Sequence, residues 1–221
     1  MNKRTPYQIA IVGQSGKGKT MAFRNMNPDT CGFINMEGKP LPFENKFKHY
    51  SVPNNWQECY QILIEYAQNK EITEVVIDSF SAYLDSLLKT ARETKKNYEV
   101  WNMYNEEIGK LLYVIQKYNK DIFMTGHSAN IETDLGIEER RIAVKGNEWN
   151  KAGIESKFTI VLFTDVRIDP INNKRNYRFE FNSDGRTSAK TPPMFLEENE
   201  ETMENDAGMF LQKVRSKLSN G

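Results

Sequence analysis

The apolar positions of this chain alternate between two periods. Short continuous apolar runs read as buried strands: YQIAIVG over 7–13, CGFINM over 31–36, EVVID over 74–78 and DIFMTG over 121–126. Between them the spacing turns helical. Over 55–70, NWQECYQILIEYAQNK places Trp56, Cys59, Tyr60, Leu63, Tyr66 and Ala67 on one helical face. KTMAFRNM, over 19–26, reads as a short helix stopped by Asn27-Pro28, and further helices are predicted over 82–93 and 99–118. After residue 126 the order changes. Residues 129–156 are polar and without period, which predicts a long mobile loop. FTIVLFTDVRI over 158–168 and RNYRFEFN over 175–182 read as two strands of a hairpin turning at INNK. An acidic segment over 197–206 then precedes a last helix over 207–218. Strand and helix alternating over the first 126 residues predict an α/β fold, in one domain spanning 1–221. Its central sheet is mainly parallel with helices on both faces, and the hairpin is a C-terminal antiparallel addition.

Bulk composition narrows the classes. The chain has 221 residues, with 30 basic and 30 acidic side chains, so no global charge draws it to nucleic acid or to a membrane. No apolar run reaches the roughly eighteen residues of a spanning helix, and MNKRTPYQIAIVG lacks the apolar segment and cleavage site of a secretion signal. Two cysteines, Cys31 and Cys59, make no disulfide framework, which suits a reducing cytoplasm. With only His49 and His127 as histidines and no clustered cysteine, no zinc site is expected.

One stretch carries chemistry directly. GQSGKGKT, residues 13–20, fits G-x-x-x-x-G-K-[ST] at every fixed position, after an apolar strand and before a helix. Its glycines let the backbone wrap so that N–H groups face a phosphate. The binding set is Gly13, Gln14, Ser15, Gly16, Lys17, Gly18, Lys19 and Thr20, with Met21 at the helix start. Lys19 is expected to reach the β- and γ-phosphates of ATP, and Thr20 to hold Mg²⁺. Asp78, the last residue of EVVID, is the second metal-holding candidate; the alternative is that it only caps the next helix, near Ser81.

Many P-loop ATPases place a Glu after that Asp, but here the residue is Ser79, so a catalytic base must come from elsewhere. In a parallel sheet all strands end at the edge where ligands bind. Glu37 ends the second strand at that edge and can orient and deprotonate a water; the alternative is an ordinary solvated charge.

CGFINMEGKPLPF, EVVIDSFSAYLDSLL and DIFMTGHSAN together resemble the RecA-like recombinase core, well over the first 130 residues and loosely beyond. The resemblance implies that Glu37 is the general base and that His127, where the family often has Gln, senses the γ-phosphate. The compact length and His127 look more like small phage-encoded RecA-core proteins that anneal single strands. That kinship implies single-stranded DNA as substrate, in recombination or annealing, with hydrolysis stimulated by DNA. It also implies a homo-oligomer, ring or filament, with ATP at subunit interfaces, and a single-strand-binding protein as a further partner.

By the same resemblance, residues 129–156 take the place of DNA-binding loops. Arg140, Arg141, Lys145 and Lys151 are candidates for phosphate contact and Trp149 for base stacking, although Glu132, Asp134, Glu138, Glu139, Glu148 and Glu155 offset the charge. GRTSAKTPPMF, over 185–195, resembles the segment that reaches a neighbouring subunit's ATP, with Lys190 and then Arg186 as cations acting in trans. The acidic segment reads as a solvated face. Two other readings stay open: a helicase or packaging motor of the same core, and a nucleotide-gated binding module with little turnover.

Overall fold

The computed structural model describes residues 5–132, 136, 138–146, 148–149, 153–183 and 185–219. Six parallel strands form its centre: β1 (Gln8–Val12), β2 (Cys31–Asn35), β3 (His49–Ser51), β4 (Glu74–Asp78), β5 (Asp121–Gly126) and β8 (Ile160–Ile168). Two antiparallel strands, β9 (Arg175–Glu180) and β10 (Thr202–Glu204), extend the β8 edge. The spatial order is β10-β9-β8-β1-β5-β4-β2-β3. A separate antiparallel pair, β6 (Ser128–Glu132) and β7 (Glu138–Ile142), follows β5. This is the α/β architecture expected, a mainly parallel sheet flanked by helices with antiparallel strands at its C-terminal end.

Helices α1 (Trp56–Gln68), α2 (Phe80–Thr94) and α3 (Tyr98–Gln116) cover one face. The other is covered by a short 3₁₀ turn, Thr20–Phe23, and by α4 (Ala207–Ser219). Residues along β4 show why both faces need cover: Val75 and Ile77 point into the first core, Val76 into the second, and all three are fully buried. Strands buried on both sides read as unbroken apolar runs, which is why these were legible.

Caps set the helix starts. The Asn55 side chain accepts from the Glu58 amide, and Glu58 reaches back to the Asn54 amide, closing the start of α1 reciprocally. The Ser79 hydroxyl accepts from the Ala82 amide at the start of α2. Ser79, not Asp78, is therefore the cap, and the Asp78 carboxylate is left for other work.

Three expectations need correction. The described part of residues 129–156 is not irregular throughout: β6 from its second residue on, all of β7 and a 3₁₀ turn at Ile154–Lys157 lie there. Their half-exposed, charged faces give no apolar alternation to read. The acidic segment is tied down, not merely solvated. Thr202–Glu204 pairs with β9, Glu204 meets Arg24 at 2.7 Å, and Glu197 and Glu200 pair with Lys217 and Lys213 of α4. The fully buried Asp206 accepts from the Met209 amide as α4 begins. Finally, the helix expected over 19–26 is only the four-residue 3₁₀ turn, too short to sum peptide dipoles into a macrodipole.

Candidate nucleotide site

The phosphate loop leaves β1 at the sheet's C-terminal edge. The Gly13 amide donates to the Gly126 carbonyl at the end of β5, fixing where the loop starts. A Cβ on Gly13 would lie 2.0 Å from the Thr164 hydroxyl oxygen, so only glycine fits there. Gly18 has φ +85°, and a Cβ there would approach the Tyr177 ring to 2.8 Å. Inside the loop, the amides of Ser15, Gly16, Gly18 and Lys19 find no acceptor among the described residues. Unpaired amides gathered in one bend form an anion nest. With no long helix behind them, these amides and Lys19 carry the attraction for phosphate.

Lys19 is 8% exposed, and its ammonium donates to the Gln14 carbonyl at 3.0 Å. Burial pulls it below the usual lysine range, against the opposing pull of Asp78 and Glu37. A buried cation held only by a loop carbonyl is ready to exchange that carbonyl for a phosphate oxygen.

Thr20 and Asp78 meet directly. The Thr20 hydroxyl donates to Asp78 Oδ2 at 2.8 Å, and the Thr125 hydroxyl donates to Oδ1. Asp78 is 3% exposed and makes no ion pair with a described residue. Burial pushes its carboxyl above the usual range, while the Thr125 and Thr20 hydroxyls work the other way. A buried carboxylate held by hydroxyls alone lacks an ion-pair partner, and Lys19 acts on it only without contact. Two hard oxygens beside a phosphate nest suit Mg²⁺, which takes one or two protein ligands and completes its shell with phosphates and water. Among the described residues no cluster of three His, Cys, Asp or Glu could hold a metal, so a site built wholly from such side chains is not in view.

Glu37 sits on a turn fastened from several sides. The Met36 and Glu37 amides both donate to the Asp78 carbonyl, at 2.7 and 3.4 Å. Asn35 accepts from the Gly38 amide and donates to the Lys39 carbonyl. The side chain faces the cleft: Oε1 accepts from the Ser79 hydroxyl at 3.1 Å, and Oε2 accepts from Lys39 at 2.9 Å. Burial tends to raise its pKa; the bonds from Lys39 and Ser79 outweigh that and hold it below the usual carboxylate range.

One cleft of about 370 Å³ is lined by Ser15, Gly16, Gly18, Lys19, Thr20, Met21, Glu37, Lys39, Pro42, His127 and Tyr177. Sequence reading anticipated most of this set, and His127 is held on site by its amide, which donates to the Ser81 hydroxyl at 2.9 Å. It missed Lys39, Pro42 and Tyr177. Lys39 follows Glu37 by two residues, but no motif marks it, and the sequence reading assigned it no role. Tyr177 comes from β9, far along the chain, and no local pattern could announce it. With it comes Asn205, whose amide donates to the Gly18 carbonyl at 3.3 Å.

The residues expected to touch DNA lie apart from the cleft lining, and their charges are engaged. Arg140 lies 3.3 Å from Glu180 and over the Phe163 ring, Arg141 pairs with Glu139 at 2.7 Å, and Lys145 pairs with Asp85. Trp149 packs partly into the core beside Gly109. Lys151 lies outside the described residues. Arg186 and Lys190 do not line the cleft either. The Arg186 carbonyl accepts from the Arg140 amide, and Lys190 exchanges backbone bonds with Val161, its side chain half-buried near Glu155.

A family model described as an AAA domain matches residues 5–192. No curated protein matches the sequence significantly. Among solved structures, a KaiC-like protein of the hyperthermophilic archaeon Pyrococcus horikoshii is similar at 14% identity and a TM-score of 0.45, covering 78% of this chain and 77% of that one.

Proposed function

Because the chain belongs to the AAA-domain family of P-loop ATPases, we propose that its cleft binds Mg-ATP and hydrolyses it, with Glu37 as general base. The observation that carries this reading is convergence: Lys19, Thr20 and Glu37 line one cleft, with Asp78 bonded to Thr20 beneath it. Mg²⁺, when bound by Thr20 and Asp78, supplies positive charge to the phosphate oxygens. The loop amides and Lys19 hold the polyphosphate. Glu37 takes a proton from a water, the water oxygen bonds to the γ-phosphorus, and the bond from that phosphorus to the β–γ bridging oxygen breaks. ADP leaves with that oxygen. His127, on the same cleft, donates to a γ-phosphate oxygen.

Glu37→Gln tests this reading. Turnover should fall by about 10²-fold or more while ATP still binds, the usual range for loss of a general base. Unchanged turnover would remove Glu37 from the chemistry and favour the gated binding module.

Single-stranded DNA is the proposed substrate, in recombination or annealing, and it rests on the resemblance to RecA-like cores. The β6–β7 hairpin supports it poorly, because its arginines are paired. The turn between α2 and α3 supports it better. Lys89 and Arg92 at the end of α2 and Lys95 and Lys96 in the turn are exposed with no ion pair among the described residues, and Tyr98 and Trp101 at the start of α3 are exposed as well. Cations flanking exposed rings suit phosphates and stacked bases. Filter binding at low salt separates the two surfaces. Lys95→Glu with Lys96→Glu should release single strands, whereas Arg140→Ala should not. No retention by the unmodified protein, with or without ATP, would remove the DNA reading. A cation acting on the ATP of a second copy, Lys190 or Arg186, is part of the same proposal. Its check is solution mass with and without nucleotide, and a monomer under both conditions refutes it.

A further inference from the structure

Both oxygens of the Glu37 carboxylate have protein donors. The Ser79 bond is part of the scaffold, since the same hydroxyl caps α2. The Lys39 bond is different in kind. The backbone of Lys39 is fixed, its carbonyl held by the Asn35 amide at 2.7 Å. Its side chain is 77% exposed and has no described partner but Glu37. It also lines the cleft with Ser15, Gly16, Lys19 and Thr20. A lysine on a fixed base, with a free four-carbon stem, is held at the phosphate end of the cleft by one solvent-facing pair. Exposed pairs of this kind are screened by water and hold weakly, so this one breaks at little cost.

We propose that Lys39 reads the terminal phosphate: it leaves Glu37 for the γ-phosphate of a nucleoside triphosphate, and returns to Glu37 when only the diphosphate is bound. This rests on the reading of Glu37 as the group facing the terminal phosphate. The exchange follows from charge. A terminal phosphate presents close to two negative charges and three acceptor oxygens, against one charge on the carboxylate. Lys19 and His127 are also placed for the γ-phosphate, but among the described residues Lys39 is the one cation bonded to Glu37. Lys19 is buried in the loop, Asp78 lies behind the Ser79 cap, and His127 faces Glu37 from beyond β5. Departure of Lys39 has a second effect. It removes the donor from Oε2 and leaves that oxygen open to a water's proton. The same movement thus discriminates triphosphate from diphosphate and frees the base only when there is a phosphate to attack.

The test is binding, measured by calorimetry on the intact chain with ADP and with the non-hydrolysable triphosphate AMP-PNP, both with Mg²⁺. Lys39→Met should weaken AMP-PNP about tenfold, the scale of one charge-assisted hydrogen bond, and change ADP by less than about twofold. Lys39→Arg should restore most of the loss. Glu37→Gln, which releases the lysine, should tighten AMP-PNP by up to about fivefold, and that gain should vanish in the Glu37→Gln/Lys39→Met double variant. Equal weakening of both nucleotides would make Lys39 a general attractor and overturn the proposal, as would no change in either. Failure here is distinct from failure of the base. A Glu37→Gln variant with lost turnover beside a Lys39→Met variant with unchanged binding keeps the base and removes the exchange. Circular dichroism of the variants confirms folding, which an exposed lysine on a turn should not disturb.

Discussion

Strand β4 begins on Glu74 and ends on Asp78, and the two carboxylates are equally buried, each 3% exposed. Each is held by two threonine hydroxyls, Thr30 and Thr73 for Glu74, Thr20 and Thr125 for Asp78. They differ in one respect. At the N-terminal edge of the sheet, Arg215 of α4 lies 3.0 Å from Glu74 and 2.9 Å from the neighbouring Asp121. At the C-terminal edge no cation among the described residues is paired with Asp78, and Lys19 is bonded to a loop carbonyl instead. Five residues of one strand thus carry a closed charge site and an open one. The closed site docks α4 onto the sheet. The open site keeps a charge in waiting, at the edge where the phosphate nest lies. Burial alone does not mark a functional acid; burial without an ion-pair partner does.

Asp78→Asn should have the largest effect and separate the two sites most sharply. Loss of the metal anchor should lower Mg-ATP turnover by about 10²–10³-fold, several kcal/mol of transition-state charge stabilisation. The nucleotide-free fold should not suffer. Burial raises the Asp78 pKa, so the fold prefers the protonated form, and ionisation costs the native chain stability as pH rises through the window between the unfolded and folded values. Asn removes that cost. Thermal unfolding should show the variant at least as stable as the parent at neutral pH and indistinguishable from it at acid pH. A variant that unfolds earlier at neutral pH would show Asp78 to be a structural acid like Glu74.

Arg215→Ala should do the reverse. It takes the arginine away from two acids that are 3% and 1% exposed. Complete loss of a buried partner costs about 3–5 kcal/mol. Arg215 is itself 39% exposed, so water screens part of this, and about 2–3 kcal/mol is expected. At this chain length that lowers the unfolding midpoint by roughly 4–12 °C. Turnover per folded molecule, measured well below that midpoint, should be unchanged. A fall in turnover would mean that α4 docking governs the far edge of the sheet.

The two edges were not equally legible. The open site was written in consecutive residues: GQSGKGKT, the end of EVVID and the end of CGFINM each fix a side chain by its place on a strand. Parallel topology then brings the three together, because every such strand ends at one edge. The closed site was invisible, since Arg215 meets Glu74 from 141 positions away and its own helix shows only an ordinary basic residue. The same limit hid Tyr177 and Asn205 at the phosphate loop. The hairpin over 128–142 escaped for another reason. Its strands, SANIE and EERRI, are charged and half-exposed, so neither face repeats an apolar residue every second position. Ser79 was seen only as the absence of a Glu. Its hydroxyl turns out to cap α2 and to orient Glu37, two roles that spacing could not reveal.

The smallest effects should come from the hydroxyls, and these refine the comparison most. Thr125→Val keeps the shape and removes one donor from Asp78 Oδ1. Thr30→Val does the same to Glu74 Oε1. A hydrogen bond to a charged group contributes about 1.5–3 kcal/mol where nothing replaces it. Glu74 retains Thr73 and Arg215, so Thr30→Val should cost about 1 kcal/mol of stability and leave the Mg²⁺ dependence of turnover untouched. Asp78 retains only Thr20, which the metal also needs. Thr125→Val should therefore leave a carboxylate free to swing, and turnover at limiting Mg²⁺ should fall by about tenfold, recovering in part as Mg²⁺ is raised. A loss that no Mg²⁺ concentration relieves would place Thr125 in the chemical step. Equal small losses of stability in both variants, with Mg²⁺ dependence unmoved, would mean that the hydroxyls serve the two acids alike and that Arg215 alone divides a staple from a binding site.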